Sequence, residues 1–154
     1  MRNQKADIRN IGLQDWQAVI GVNLSGSFLT ARAACRTMIT AKAGTIILVG
    51  SPAGVTAPSG SISYGASKGG VNGLAVTLEE HLAPHGIRVH NFCPGSVDTP
   101  LFNASLDAGV SNGAPQRYAD EARARSVSPE GVGRALAILA SPAAQDLRGA
   151  IFTR

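Results

Sequence analysis

Cysteine is nearly absent. The chain has two, Cys35 and Cys93, far apart and without metal-ligand spacing. That speaks against a disulfide framework and points to reduced thiols in a cytoplasmic protein. The three histidines, His81, His85 and His90, show no partner pattern, so no metal site is expected. Long apolar runs are missing too. None approaches the ~18 residues that a membrane span needs, and residues 1–10 are polar, without the apolar core of a secretion signal. The expectation is no membrane segment. Charged residues make up only 16% of the chain against 44% hydrophobic, which argues for a folded protein rather than a disordered one. Internal repeats and low-complexity linkers are absent.

What charge there is has a positive balance, +4, with a sequence pI of about 9.6. The basic residues are scattered. Their densest cluster, residues 117–125, is interrupted by Asp120 and Glu121, which fits a solvated helix or loop and not a nucleic-acid surface. Asn-x-Ser triplets at Asn23 and Asn103 are read as incidental in a cytoplasmic chain. A chain of 154 residues is long enough for one domain with a real core.

The elements alternate. Residues 15–41 carry Val19, Val22, Leu29 and Ala33 at helical spacing, with Gly44 as the breaker. TIILV, residues 45–49, is a short β-branched run of the kind buried in parallel sheets. A Gly/Pro/Ser-rich loop, residues 50–61, leads to a helix over 63–83 that stops at Pro84 and Gly86. IRVHNF, residues 87–92, reads as a strand ended by Pro94-Gly95. Residues 96–127 read as irregular with one short helix. Ser128-Pro129-Glu130 opens a helix to about residue 140, since Ser caps and Pro fits the first turn. An apolar scrap, residues 150–152, ends the chain as a strand. Helix, strand, helix, strand, helix, strand is the grammar of an open α/β sheet with parallel strands.

YGASK, residues 64–68, places a tyrosine four positions before a lysine. On a helix these share a face, and a cation near a phenol favours its ionised form. The wheel puts Tyr64, Lys68, Val71, Ala75, Leu78 and Leu82 on one stripe, so the pair heads the face that packs on the sheet. A second stripe, Ala66, Gly70, Gly73 and Thr77, is small. It predicts close backbone approach, either between copies of the chain or within it. Ser51 stands just past the TIILV strand, and residues 94–99 just past the next. Ligands of open α/β sheets bind beyond such carboxyl ends, so these features should converge on one rim.

Together these residues resemble the short-chain dehydrogenase/reductase family. Tyr64 to Lys68 is similar to its YxxxK motif. Ser51, 13 positions before Tyr64, resembles its catalytic serine. Asn23 in GVNLSGSF resembles the asparagine of its central helix, and PGSVDTP, residues 94–100, its PGxxxT loop. Asp15-Trp16 and the run GIRV, residues 86–89, match further family positions. The resemblance covers residues 15–152. It implies an α/β fold, the C-terminal half of a doubly wound, Rossmann-like parallel sheet with flanking helices, and NAD(P)-dependent interconversion of an alcohol and a ketone or aldehyde. Tyr64 would be the general acid/base. Lys68 would tune it and bind the nicotinamide ribose. Ser51 would steady the reacting oxygen. Asn23 would hold a relay water. Tyr64, Lys68, Pro94, Gly95, Val97 and Thr99 would contact NAD or NADP. The helices around Asn23 and Tyr64 would carry a homo-oligomer contact.

Against the family pattern, no G-x-G-x-x-G turn occurs, and neither the ribose-reading residue nor the NNAG-type strand is found. Gly50 replaces a common serine and His90 a usual asparagine. The expectation is one partial domain, residues 1–154, with an unpaired apolar edge on the TIILV strand, binding NAD(P) weakly or not at all on its own. Two further readings stand beside the dehydrogenase: an inactive fragment acting as an oligomerising, interaction subunit, and a relative that uses bound NAD for epimerisation or dehydration. Substrate choice is assigned to residues 101–127.

Overall fold

The computed structural model describes residues 7–153. Helices α1 (Leu13–Ile20) and α2 (Gly26–Ala41) are joined without a break by a π-helical turn, Gly21–Ser25. Lys42, in the left-handed region, ends the helix, so Gly44 opens the next strand instead of breaking the helix. Then come β1 (Gly44–Val49), α3 (Ile62–Leu82), β2 (Ile87–Cys93), α4 (Pro100–Ser111), α5 (Gln116–Ala124), α6 (Pro129–Ala140) and β3 (Gly149–Phe152).

The three strands form one parallel sheet in the order β1-β2-β3. Ile46 lies opposite Val89, Val49 opposite Phe92, and Phe92 opposite Ile151. Among the described residues β1 has a neighbour on one side only, the unpaired edge expected above.

Side chains alternate across the strands, and each face carries its own core. On one face Ile46 and Leu48 of β1 and Ile87 and Val89 of β2 pack against Ala31 of α2 and Val71, Ala75 and Leu82 of α3. On the other, Phe92 joins Leu139 of α6 and Ala144, with Ile47 and Ile151 alongside. The stripe read from the wheel is therefore the buried one, with Leu78 half-covered beside it. The second stripe divides. Gly70 is packed within the chain, where a Cβ would lie 2.7 Å from Leu24 Cδ2, whereas Gly73 faces open space.

One further expectation needs correction. Residues 96–127 hold two helices, α4 and α5, and not one short helix in an irregular stretch. Thr99 caps α4, Pro100 takes its first turn, and Leu106 and Ala119 anchor the pair by burial. The helical stretch Leu13–Ala41, 29 residues, contains an 18-residue window with mean hydropathy 1.2, so by length and composition alone it could cross a membrane. No contiguous apolar run marks it, because its apolar residues are interleaved with small and polar ones. Only Ala31 along it is buried, while Val22, Phe28 and Leu29 are exposed.

His90 lies fully buried in the middle of β2, and neither ring nitrogen has a hydrogen-bond partner among the described residues. Burial holds its pKa below the ordinary imidazole range. Arg88 and Arg148 add to this and Glu79 opposes it. The unfolded chain then takes up the proton at higher pH than the folded one. Stability is fully present above the ordinary value of about 6.5 and falls as pH drops through the folded value. Urea unfolding across this range should show that loss, and His90→Asn should flatten it. An unchanged slope in the variant would place the acid sensitivity elsewhere.

Candidate active site

Two rims of the fold meet where β1 and β2 end. Past β1, Gly50 donates its N–H to Phe92 O at 2.8 Å, which ties the start of the loop to β2. Ser51 follows, half-buried, and its Oγ accepts from Ala53 N at 3.2 Å. The loop then runs against α3. Gly54 has φ +80°, and a Cβ there would lie 2.0 Å from the carbonyl oxygen of Gly65. Only a residue without a side chain allows that approach.

Helix α3 starts at the same rim. Ser61 caps it, accepting from Tyr64 N at 3.4 Å, so Tyr64 stands in the first turn. Lys68 lies one turn on. Its Nζ donates to Val49 O at 2.8 Å, at the last residue of β1, and lies 5.7 Å from the centre of the Tyr64 ring. Desolvation lowers the Lys68 pKa from the ordinary lysine value, with an opposing contribution from Cys93. An ammonium has three N–H donors, and the Val49 bond uses one.

Past β2, residues 94–99 form the third wall. Gly95 N donates to Thr153 Oγ1 at 3.3 Å, and Val127 N to Ser96 O at 2.9 Å. The Thr99 side chain accepts from Phe102 N at 3.2 Å, so its hydroxyl caps α4 while the residue borders the cleft.

These walls border an open cleft of about 570 Å³. Ser51, Tyr64, Pro94, Gly95, Val97 and Thr99 all line it, as do Pro52, Ala53 and Ser96. Leu101, Phe102 and Ser105 of α4 border it too. The sequence places these three only within the stretch 101–127, because their part depends on the course of helix α4. Asn23 and Lys68 line a second cavity, of about 460 Å³, behind the Lys68–Val49 bond. Asn23 is in the middle of the π turn, a feature frequent at functional sites. Its Nδ2 donates to Ser67 Oγ at 3.0 Å, and Ser67 Oγ donates to Tyr64 O at 2.7 Å. The expected site residues thus fall on two sides of one lysine.

The family model described as short chain dehydrogenase matches residues 2–108. The chain belongs to this family. Among curated short-chain dehydrogenase relatives, a galactitol 2-dehydrogenase of Rhizobium johnstonii is 38% identical over 139 residues, 89% of this chain and 53% of that protein. A 3-oxoacyl-[acyl-carrier-protein] reductase of Synechocystis sp. is 35% identical over 141 residues, 91% of this chain and 54% of its own length. The crystal structure of an NAD+-bound xylitol dehydrogenase superposes with a TM-score of 0.83 at 25% identity, covering 93% of this chain and 60% of that one. The chain therefore spans about half the length of the curated relatives it matches. By their names these relatives are a dehydrogenase and a reductase, and the solved neighbour is NAD+-bound.

The loop after β1 gives the sharpest local test of this geometry. Gly54→Ala should cost roughly 1–3 kcal/mol from the left-handed backbone alone, with the Gly65 contact adding to it. Thermal unfolding should show the loss, and amide exchange should rise along residues 50–61. A stable Gly54→Ala protein with unchanged exchange would contradict the close packing of this loop on α3.

Proposed function

We propose that the chain carries the proton-handling, nicotinamide-side part of an NAD(P)-dependent dehydrogenase that interconverts a secondary alcohol and a ketone. The observation that carries this is that Ser51 and Tyr64 line one cavity with Pro94, Gly95, Val97 and Thr99, while Lys68 is fastened to Val49 O. The Tyr64 hydroxyl gives a proton to the substrate oxygen in reduction and takes one in oxidation. Ser51 Oγ donates a hydrogen bond to that oxygen as its charge develops. Lys68 keeps a cation beside Tyr64, and its remaining N–H donors suit the ribose hydroxyls of the cofactor. The nicotinamide, when bound, supplies or accepts the hydride. Asn23, sharing the second cavity with Lys68, is placed for a water that relays the proton outward. Pro94, Gly95, Val97 and Thr99 border the nicotinamide side. The cavity volume lies within the usual range for a small-molecule site, about 300–1,000 Å³.

The relatives act on a polyol and on a 3-oxoacyl group, by their names. We extend to this chain only what they share, a carbonyl–carbinol pair. NAD and NADP serve the reading equally. With no G-x-G-x-x-G in the sequence, binding of the whole dinucleotide by this chain alone is weak. We place the protein in the cytoplasm, with no nucleic-acid partner, and read the Leu13–Ala41 helix as a packing surface instead of a membrane span. Its exposed Val22, Phe28 and Leu29 favour a second role, association with further copies through α1, α2 and the open Gly73 side of α3.

The test is turnover of NADH and NADPH with a panel of ketones, using the purified chain at high cofactor concentration. The wild type should consume cofactor slowly. Tyr64→Phe should lower the rate by about 10²–10⁴-fold without loss of fold. Equal rates in wild type and variant would overturn the assignment of Tyr64. No turnover by a folded chain would favour the association role.

A further inference from the structure

Asn91 is buried in β2, 1% exposed, on the face that packs against α3. Its Nδ2 donates to Asn72 Oδ1, on α3, at 2.9 Å. Its own Oδ1 has no hydrogen-bond partner among the described residues. That oxygen is aimed at Gly50. A Cβ built at Gly50 would lie 2.2 Å from Asn91 Oδ1, 2.9 Å from Asn91 Cγ and 2.8 Å from Cys93 Sγ. The amide therefore occupies the space that a side chain at position 50 would need.

A buried amide oxygen without a donor is costly, and an apolar side chain of the same size would avoid that cost. What the amide has and an apolar group lacks is direction. Asn72 pins one end, so the other end points one way. Its target is the residue between the two parts of the site. Gly50 follows Val49, whose carbonyl receives Lys68 Nζ, and precedes Ser51. Asn72 lies on the helix that bears Tyr64 and Lys68.

We propose that Asn72 and Asn91 form a brace from α3 across β2 to Gly50, and that Asn91 is a positioning residue fixing Ser51 and the Val49 carbonyl relative to Tyr64 and Lys68. Gly50 and Asn91 are then a size-matched pair: the glycine makes room, and the amide fills it. That the brace serves proton transfer rests on the function proposed above. That the brace exists does not.

The test needs no cofactor, so a chain that fails to turn over substrate leaves it standing. The variants are Asn72→Ala, Asn91→Ala, Gly50→Ala and the double Gly50→Ala/Asn91→Ala. Asn72 is half-exposed, so its variant is expected to fold even where Asn91→Ala does not. Two signals are read. One is amide exchange at Gly50, whose N–H bonds Phe92 O. The other is the titration of Lys68, followed by carbon NMR at its ε position with Lys5→Arg and Lys42→Arg in the background, which leaves one lysine.

Each single variant should speed Gly50 exchange about tenfold or more as local opening becomes easier. Each should also move the Lys68 midpoint up toward the ordinary lysine value, as the ammonium leaves its desolvated seat. The double variant should recover much of both signals, because the new methyl group occupies the vacated space. Folded Asn72→Ala with unchanged exchange and midpoint would overturn the brace. So would additive effects of Gly50→Ala and Asn91→Ala in the double variant.

Discussion

Helix α3 lies on the middle strand β2, and the arrangement of the rim depends on that seat. Val71, Ala75 and Leu82 bury one stripe of the helix against Ile87 and Val89. A fully buried aliphatic side chain is worth about 1.5–3 kcal/mol, so this contact is strong enough to fix the helix on the strand. Once it is fixed, the first turn must project at the carboxyl end of the sheet. Tyr64 and Lys68 arrive there because they continue the same stripe. The loop after β1 meets them because Gly54 lets it touch the Gly65 carbonyl.

Lys68 divides the site. Its bond to Val49 O separates the cavity lined by Ser51 and Tyr64 from the one lined by Asn23. The ammonium is partly desolvated, which strengthens its effect on any neighbour, since charges interact more strongly away from water. Ser67 adds a second tie. It bonds the Tyr64 carbonyl and receives Asn23, so the π turn in the first long helix is joined to the head of α3. A change at Asn23 would therefore reach Tyr64 through the backbone as well as through solvent.

Much of the sheet was legible because its signals are local. TIILV is apolar and β-branched, IRVHNF carries Ile87, Val89 and Phe92 at every second or third place, and both are bounded by glycine or proline. The Tyr64–Lys68 pair and its spacing from Ser51 were legible for the same reason. Residues 96–127 were harder. Helix α4 contains glycine, serine and asparagine, so its cap at Thr99 and the burial of Leu106 do what propensity does not, while α5 is only nine residues long and its charges fit a solvated helix or loop equally. Leu101, Phe102 and Ser105 fall inside the stretch 101–127 assigned to substrate choice, but the sequence does not single them out as walls of the site. The Asn72–Asn91–Gly50 contact could not be read at all. It joins three elements, each ordinary on its own, and only the packed fold brings them together. The membrane-length helix escaped notice because its apolar residues are dispersed, and a mean over the window registers what no run displays.

The central claim is that this chain supplies the nicotinamide-side half of a dehydrogenase site, already assembled. The most direct measurement is titration of the nitrogen-15-labelled chain with reduced nicotinamide mononucleotide, followed amide by amide. The account predicts shifts concentrated at Ser51, Tyr64, Lys68, Gly95, Val97 and Thr99, with NADH moving the same set. Shifts confined to other parts of the chain, or none at concentrations that saturate a weak site, would contradict it.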